Sequence, residues 1–418
     1  MKKAIVISSY PSEKAIHGQG TVGVASYAKN TLGAIQKTSK GTSFTVFAEK
    51  LLDESDYRKN NISVKRIWKR NSFLTFFQLV KSILKEKDSS TVVIEFELAM
   101  FGALPYLLPF PLFLILLKIL QKKIILINHQ VIPNIDEVGP HINVSSQSTL
   151  TSGFFNVGLT IFYRLMMALS DKVIVFEDVL KSRLSSYGNK RKISVIPHGV
   201  ETFSKIPTKK EARKKLHVSS SSYIVLVFGF LAWYKGSDWI IQAVQKLKED
   251  KKLKGKNIQL ILAGGANPNH LDKDFYIKYI TAIENACQQK GIILSGFVPE
   301  NEIASYYQAS DMVVLPYRTF MSSSGPLSIT FSFKKPFLLS PKLKGILVAP
   351  DMISSMKHLK IKQEDIYFKD FNGDFAKKLQ RIRINSKLQK KLSRLASHIK
   401  QQRSWNVIGS RYYDEIFA

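Results

Sequence analysis

The sequence predicts an α/β protein of two domains, each built on a parallel sheet and facing the other across a cleft. Three observations carry this prediction. The 418 residues exceed what one hydrophobic core usually organises. Short β-rich runs alternate with helical patterns from the start of the chain, which is how a parallel sheet with crossover helices reads in sequence. The alternation stops near residue 200 at a polar, lysine-rich stretch and then begins afresh.

In the first series KAIVISSY, SFTVFAE, STVVIEFE, KKIILINHQ, DKVIVFED and KISVIPHGV are apolar runs bounded by polar or turn residues, as buried parallel strands are. The segment TVGVASYAKNTLGAIQ carries a helical pattern between the first two. The pause, HGVETFSKIPTKKEARKKLHVSSSS, combines proline, lysines and a serine run and reads as the interdomain linker. The second series is YIVLVFGFL, NIQLILAGGA, GIILSGFV, DMVVLPYR and KPFLLS, with SDWIIQAVQKLKED and NEIASYYQAS as helices between strands. Open α/β sheets bind ligands beyond the carboxyl ends of their strands, so a ligand site is expected between the two sheets.

Composition narrows the class without choosing a partner. Apolar residues make up 45% and charged residues 22%, which is globular usage. The single cysteine, Cys287, excludes an intrachain disulfide and a cysteine-built metal centre, which suits a reducing cytoplasm. The start, MKKAIVISSYP, resembles the charged head of a signal peptide, but its short apolar run alternates like a strand, and no cleaved targeting peptide is expected. Lys and Arg number 62 against 32 acidic residues, a net charge of +30 that attracts polyanions of any sort. Zinc-finger spacing, RNP aromatics and a basic tail are all absent from the sequence, so nucleic acid is not the expected partner.

Two segments bear on membranes. Residues 98–117, LAMFGALPYLLPFPLFLILL, contain no charge and meet the length test for a span. The strands before and after them read as members of one sheet, and Pro105, Pro109 and Pro111 break a single helix, so a buried or interfacial hairpin is expected instead. Residues 65–87, KRIWKRNSFLTFFQLVKSILKEK, set Phe73, Phe76, Phe77, Val80 and Leu84 at helical spacing between basic ends. Packing on the sheet and insertion into an anionic lipid surface both explain that stripe.

Candidate site residues follow the strand ends. The loop YPSEKAIHGQGTVGVASYAKN places Gly18, Gly20 and Gly23 ahead of a helix, where backbone can approach an anion closely; a plain flexible loop reads the same. Gly229 ends a strand, and FGFLAWYKG then brings Lys235, either a cation for a diphosphate or a solvated surface lysine. RTFMSSSGPLSITFSF puts Arg318, Ser322, Ser323, Ser324, Gly325 and Ser328 after the strand DMVVLPY, as a loop that opens a helix and suits both N-capping and phosphate binding. His129 and His198 each end a strand and would face the cleft.

These pieces, in this order, resemble glycosyltransferase family 4, a group of retaining enzymes with the GT-B fold. The resemblance rests on GVASYAKN, INHQVIP, VIPHGV, FGFLAWYKG, LILAGGA, GFVPENEIASYYQASDMVVLPYR and RSWNVIGSRYYDEIF, which together run along nearly the whole chain. It implies two Rossmann-like domains, residues 1–200 binding the acceptor and 201–403 binding a nucleotide-sugar donor, with 404–418 as a helix crossing back to the first domain. It also implies that Gly20 lies near the donor phosphates, His129 beside the transferred sugar, and Lys235 on the diphosphate. Phe230 stands where the family usually has an arginine, and Met321 and Ile329 where it usually has two glutamates. A branch with a serine-glycine loop is similar to SSSGPLSITFSFKKP, which would shift phosphate binding to the backbone of residues 322–325.

The expected activity is therefore transfer of a hexose from a nucleotide-diphosphate sugar, with retention, without a metal and without a separate cofactor. Glu95 and Glu97 are candidate acceptor contacts, and the acceptor is expected to be a glycan, lipid-linked or at a membrane surface. The chain is expected in the cytoplasm, at the membrane face if it binds anionic lipid. The departures at Phe230, Met321 and Ile329 keep a non-catalytic binding subunit as the alternative.

Overall fold

The computed structural model describes residues 2–13, 23–39, 41–52, 54–135, 149–249, 257–267, 270–271 and 273–418. The first sheet holds β1 (Lys2–Ser8), β2 (Thr42–Glu49), β3 (Tyr57–Lys59), β4 (Ile62–Trp68), β5 (Thr91–Phe96), β6 (Lys123–Asn128), β7 (Lys172–Val175) and β8 (Ile193–Val195). Their order across the sheet is β3-β4-β2-β1-β5-β6-β7-β8, and every pairing but β3 with β4 is parallel. The second sheet holds β9 (Tyr223–Phe228), β10 (Ile258–Ala263), β11 (Ile292–Leu294), β12 (Met312–Leu315) and β13 (Phe337–Leu339) in the order β11-β10-β9-β12-β13, all parallel. Two sheets of parallel strands are the architecture expected from the alternation in sequence.

Two strands escape that reading. Residues 65–68 of the segment 65–87 belong to β4, and the helical spacing read over 73–84 corresponds to a helix from Thr75 to Ile83. β4 alternates buried Ile62, Val64, Arg66 and Trp68 with half-buried neighbours, and its charged members hide the strand period. Arg66 is held there by the carbonyls of Tyr10 at 2.7 Å and Pro11 at 2.8 Å.

The first sheet is covered on both faces because its strand order reverses at β1. Right-handed crossovers send the helix Gly23–Thr38, between β1 and β2, to one face, and the helices between β4 and β7 to the other. Alternate residues of each strand serve the two cores. Ile5, Ile7, Ile94 and Leu126 pack with Phe76, Phe110 and Met166, whereas Ala4, Val6, Val93 and Ile125 pack with Tyr27 and Tyr412. The charge-free stretch at 98–117 is broken at its prolines into helices Leu104–Leu107 and Phe110–Ile119, which lie between the paired strands β5 and β6 and so do not span a bilayer. The helix Thr149–Leu169 is long and apolar enough to cross a membrane, but it joins β6 to its neighbour β7 and is likewise a crossover helix lying on the sheet.

The chain passes between the domains twice, side by side. Val200 N–H donates to the Arg403 carbonyl at 2.8 Å, and Val200 bridges Ser404. The polar stretch after it is not all linker: Lys209–Lys215 is a helix with a Thr208–Glu211 capping box, packed on the helix Glu300–Ala309 of the second domain. After the return crossing, the helix Trp405–Phe417 lies against Gly23–Thr38, where Gly409 approaches Ala34 so closely that a Cβ would sit 2.6 Å from its backbone. Tyr27 and Tyr412 hydroxyls meet at 2.8 Å across that contact.

A buried ion cluster locks the crossing. Arg403 forks onto Asp351 of the second domain, Nε to Oδ2 at 2.6 Å and Nη2 to Oδ1 at 3.0 Å, and reaches Glu177 of the first at 3.2 Å. Burial pushes the Glu177 carboxyl up to about 7, with Arg403 pulling it back. Arg403→Ala leaves two carboxylates without their cation, a loss of about 3–5 kcal/mol when a buried pair is broken from one side. A carboxyl raised in the folded state favours folding below its unfolded value near 4.5 and loses that contribution as pH rises through about 7. The deficit of the variant against the native chain, read from denaturation midpoints, is therefore expected to shrink from pH 7 to pH 5; an equal deficit at both would contradict a role for Glu177.

Candidate functional site

The carboxyl ends of both sheets point at one another, and two loops join across the gap. After β6, Val131 N–H donates to the Met321 carbonyl at 3.0 Å, and Gln130 bridges Ser322 in antiparallel sense. Arg183, on the helix Asp178–Ser185, donates from Nη1 to the carbonyls of Val131, at 2.9 Å, and Phe320. The serine loop is thus hydrogen-bonded to the first domain through its leading residues, and what remains for a ligand is its trailing end at the helix Gly325–Ser332.

At that end three features converge on one point. Gly229 follows β9 with φ of +105°, and a Cβ there would lie 2.8 Å from Lys235 Nζ and 3.3 Å from Pro326 Cγ. Lys235 closes the short turn Trp233–Lys235, and left-handed Gly236 then opens the helix Ser237–Glu249. Only 9% of Lys235 is exposed, it makes no ion pair among the described residues, and burial alone brings its ammonium down to about 8. A buried cation without an anion is costly, so this group is poised for an anionic ligand. The first turn of the helix Gly325–Ser332 adds its positive dipole end. Ser324 is less available than its sequence suggests: its hydroxyl caps Leu327 N–H at 3.3 Å and meets Tyr317 OH at 3.0 Å. Ser323 is half-buried, and Ser322 donates to the Ser323 carbonyl at 3.3 Å.

Two of the expected donor contacts are used elsewhere. Arg318 pairs with Asp238, donates to the Trp233 carbonyl at 2.9 Å and lies 4.3 Å over the Trp239 ring, so it braces the Lys235 turn instead of reaching a phosphate. Ser328 donates to the Gly199 carbonyl at 2.7 Å, tying the helix to the crossing. His198 uses the same carbonyl: its Nδ1 lies 2.7 Å from it, so Nδ1 carries the proton and Nε2 is the acceptor. Burial holds His198 down at about 4, which keeps it neutral.

The first domain contributes His129, whose Nε2 lies 2.7 Å from Glu95 Oε2 and whose ring stands edge-on to Tyr27 at 5.2 Å. Glu95 is only 1% exposed, which corrects its assignment as an acceptor contact: it orients His129 from below. Burial pushes its carboxyl up, and the His129 hydrogen bond lowers it in part. Glu97 is half-buried and adds, after burial and Tyr317, to the forces holding the Tyr234 hydroxyl above the usual phenol range, so it acts across the gap on the Lys235 turn. Gly20 lies outside the described residues. Gly23 opens its helix with nothing within 4 Å of an added Cβ.

Tyr27, Trp405 and Arg183 were not singled out from the sequence, because aromatic and basic residues inside helices read as ordinary packing and surface positions. Phe230, read only as a missing arginine, stacks on Phe297 with centroids 6.3 Å apart, and both rings are exposed. Together they offer a flat apolar platform at the ends of β9 and β11. Among the described residues, no three His, Cys, Asp or Glu side chains gather as a metal-ligand set.

The family comparison falls on the same half of the molecule. Residues 208–331, which include Lys235 and the serine loop, match the family model for glycosyl transferases group 1. An uncharacterized glycosyltransferase of Methanocaldococcus jannaschii is 24% identical over 201 residues, 43% of this chain and about half, 47%, of that relative. Sucrose-phosphate synthase from Thermosynechococcus elongatus superposes with a TM-score of 0.72 at 16% identity, over 100% of this chain and 99% of that one. An E. coli trehalose-6-phosphate protein bound with UDP-2-fluoro glucose gives 0.68 at 12% identity, over 99% of each chain. Anabaena HepE in complex with UDP and glucose gives 0.62 at 14%, again over 99% of each. The fold is GT-B, and the matched region supports glycosyl transfer.

The convergence at Gly229 makes its own prediction. Gly229→Ala must place a side chain at positive φ and against Lys235 Nζ, and is expected to cost about 1–3 kcal/mol. Gly23→Ala, at an open helical position, is expected to be neutral or stabilising by up to about 1 kcal/mol. Thermal denaturation of the two variants checks the contrast, and equal effects would contradict it.

Proposed function

We propose that the chain transfers a hexose from a nucleotide-diphosphate sugar to a glycan acceptor that is lipid-linked or held at a membrane surface, with retention, without a metal, at the cytoplasmic face. The observation that carries this reading is the buried Lys235 ammonium, without an ion pair among the described residues, which converges at Gly229 with the first turn of the helix Gly325–Ser332 inside the region that matches group 1 glycosyl transferases. The transition state of glycosyl transfer resembles an oxocarbenium ion and a departing diphosphate, and a preorganised cation with a helix dipole stabilises that leaving charge most where water is scarce. In this reading Lys235, the Gly229 backbone and the 323–325 segment hold the diphosphate, and the Phe230–Phe297 platform supports the base. His129, fixed by Glu95, faces the sugar, and Glu97 is the carboxylate left to meet the acceptor. The similar structures that hold UDP with glucose, or UDP-2-fluoro glucose, support a nucleotide sugar as the kind of donor.

Two measurements test this reading. In a screen of nucleotide sugars by thermal shift, the true donor is expected to raise the melting temperature through mass action. Lys235→Ala is expected to abolish that shift and to lower kcat/KM by about 10²–10³, the usual effect of removing one charge-stabilising donor. Unchanged turnover in this variant would overturn the assignment.

The second is the pH dependence of diphosphate binding. A lysine lowered in the folded state binds its proton less tightly there, so the cation that attracts phosphate is lost as pH rises through about 8. Nucleoside diphosphate affinity, followed by calorimetry, is expected to fall between pH 7 and pH 9 in the native chain and to stay flat across that range in Lys235→Ala.

A further inference from the structure

The first domain carries a second, separate surface with an unusual composition. Three neighbouring helices on one face of its sheet, Thr75–Ile83, Phe110–Ile119 and Thr149–Leu169, pack side by side, the middle one against both others. Their inner sides form a phenylalanine cluster: Phe76 lies 5.3 Å from Phe113, and Phe110 lies 6.0 Å from Phe162. A soluble helix of this kind presents polar residues outward. These present apolar ones.

Phe77 is 67% exposed, on the helix next to exposed Phe73, whose ring contacts Tyr106 at 4.6 Å and so continues the patch to the next element. Leu108 is 71% exposed and is followed by exposed Leu112, Ile115 and Ile119, one every three or four residues. On the longest helix Phe154, 77% exposed, Val157, Ile161 and Leu165 form one stripe. Contiguous exposed apolar surface spread over three helices marks an interaction site.

Charge indicates what covers it. No acidic residue occurs between Leu98 and Ile135, or between Val138 and Ser170. The acidic residues next to the first helix, Glu86 and Asp88, are paired with Lys65 and Lys3. Around the apolar face Lys69, Lys81, Lys85 and Arg164 are exposed and, among the described residues, in no ion pair. An apolar centre ringed by unpaired cations complements an anionic lipid bilayer, with the side chains among the acyl chains and the cations at the headgroups. A second copy of a chain carrying +30 would place like charges face to face.

We propose that this three-helix face is a docking surface for anionic membranes, and that it holds the protein on the bilayer without a spanning segment. Exposed Leu104 and Leu108 follow the carboxyl end of β5, where Glu97 lies, so docking sets the mouth of the cleft beside the bilayer. This inference is independent of the donor chemistry, and its test needs no turnover.

The test is co-sedimentation of the full chain with sucrose-loaded vesicles of phosphatidylcholine alone or mixed with phosphatidylglycerol. Binding is expected to the mixed vesicles and to be at least about tenfold weaker to the neutral ones, since each cation near an anionic surface contributes measurably. Phe77→Ser, Leu108→Ser and Phe154→Ser are each expected to weaken binding to mixed vesicles by about tenfold, the scale of removing one inserted apolar side chain. Ile384→Ser, an equally exposed apolar residue of the second domain, is expected to have no effect. Circular dichroism confirms that each variant is folded. The proposal is overturned if the native chain ignores anionic vesicles at low salt, or if it binds them by charge alone so that the three serine variants match it. It is also overturned if light scattering shows a dimer in solution that those same variants dissociate, because the face would then be covered by a second copy.

Discussion

The fold turns on Arg403. Its guanidinium is buried where the chain returns from the second domain to the first, and it holds Asp351 on one side and Glu177 on the other. A charge that deep is tolerated only with well-placed partners, so the geometry of the two domains is tied to the geometry of one fork. The backbone follows suit: the Arg403 carbonyl accepts from Val200, which sets outgoing and returning strands of chain side by side. From that crossing the final helix runs onto Gly23–Thr38, and Tyr412 meets Tyr27 there.

The site inherits this constraint. Tyr27 touches His129, His198 and Trp405 at once, so the aromatic wall behind the candidate sugar position is assembled from both ends of the chain. The Gly199 carbonyl beside the crossing gathers His198 and Ser328. Across the gap, Arg183 holds the pairing of Val131 with Met321. With so many polar groups already satisfied, Lys235 stands out as a buried charge without a counter-ion among the described residues, which is what the proposed diphosphate would supply.

Much of this was legible in sequence because parallel strands are buried on both faces and announce themselves as apolar runs. Each predicted run of the second domain became a strand, and Gly229, Lys235 and the 322–325 loop fell where strand ends predict ligands. β4 was hidden because Lys65 and Arg66 interrupt its apolar run and Arg66 is buried on backbone carbonyls that lie far away in sequence. Glu95 and Arg318 were misread for a related reason. A carboxylate at a strand end and an arginine in a loop look like ligand contacts until their partners, His129 and Asp238, are known.

The sequence by itself determined the two-sheet α/β architecture, because it follows from local periodicity and turn chemistry. Tertiary structure alone decided which side chains are free to act. Arg318, Ser328 and Glu95 are held by other parts of the protein, Lys235 is without an ion pair among the described residues, and the apolar residues of three helices are divided between a core and an exposed face. The physical reason is that burial and pairing are properties of residues distant in the chain: a charge or a phenylalanine has the same local pattern whether its partner is another side chain, a ligand or a lipid.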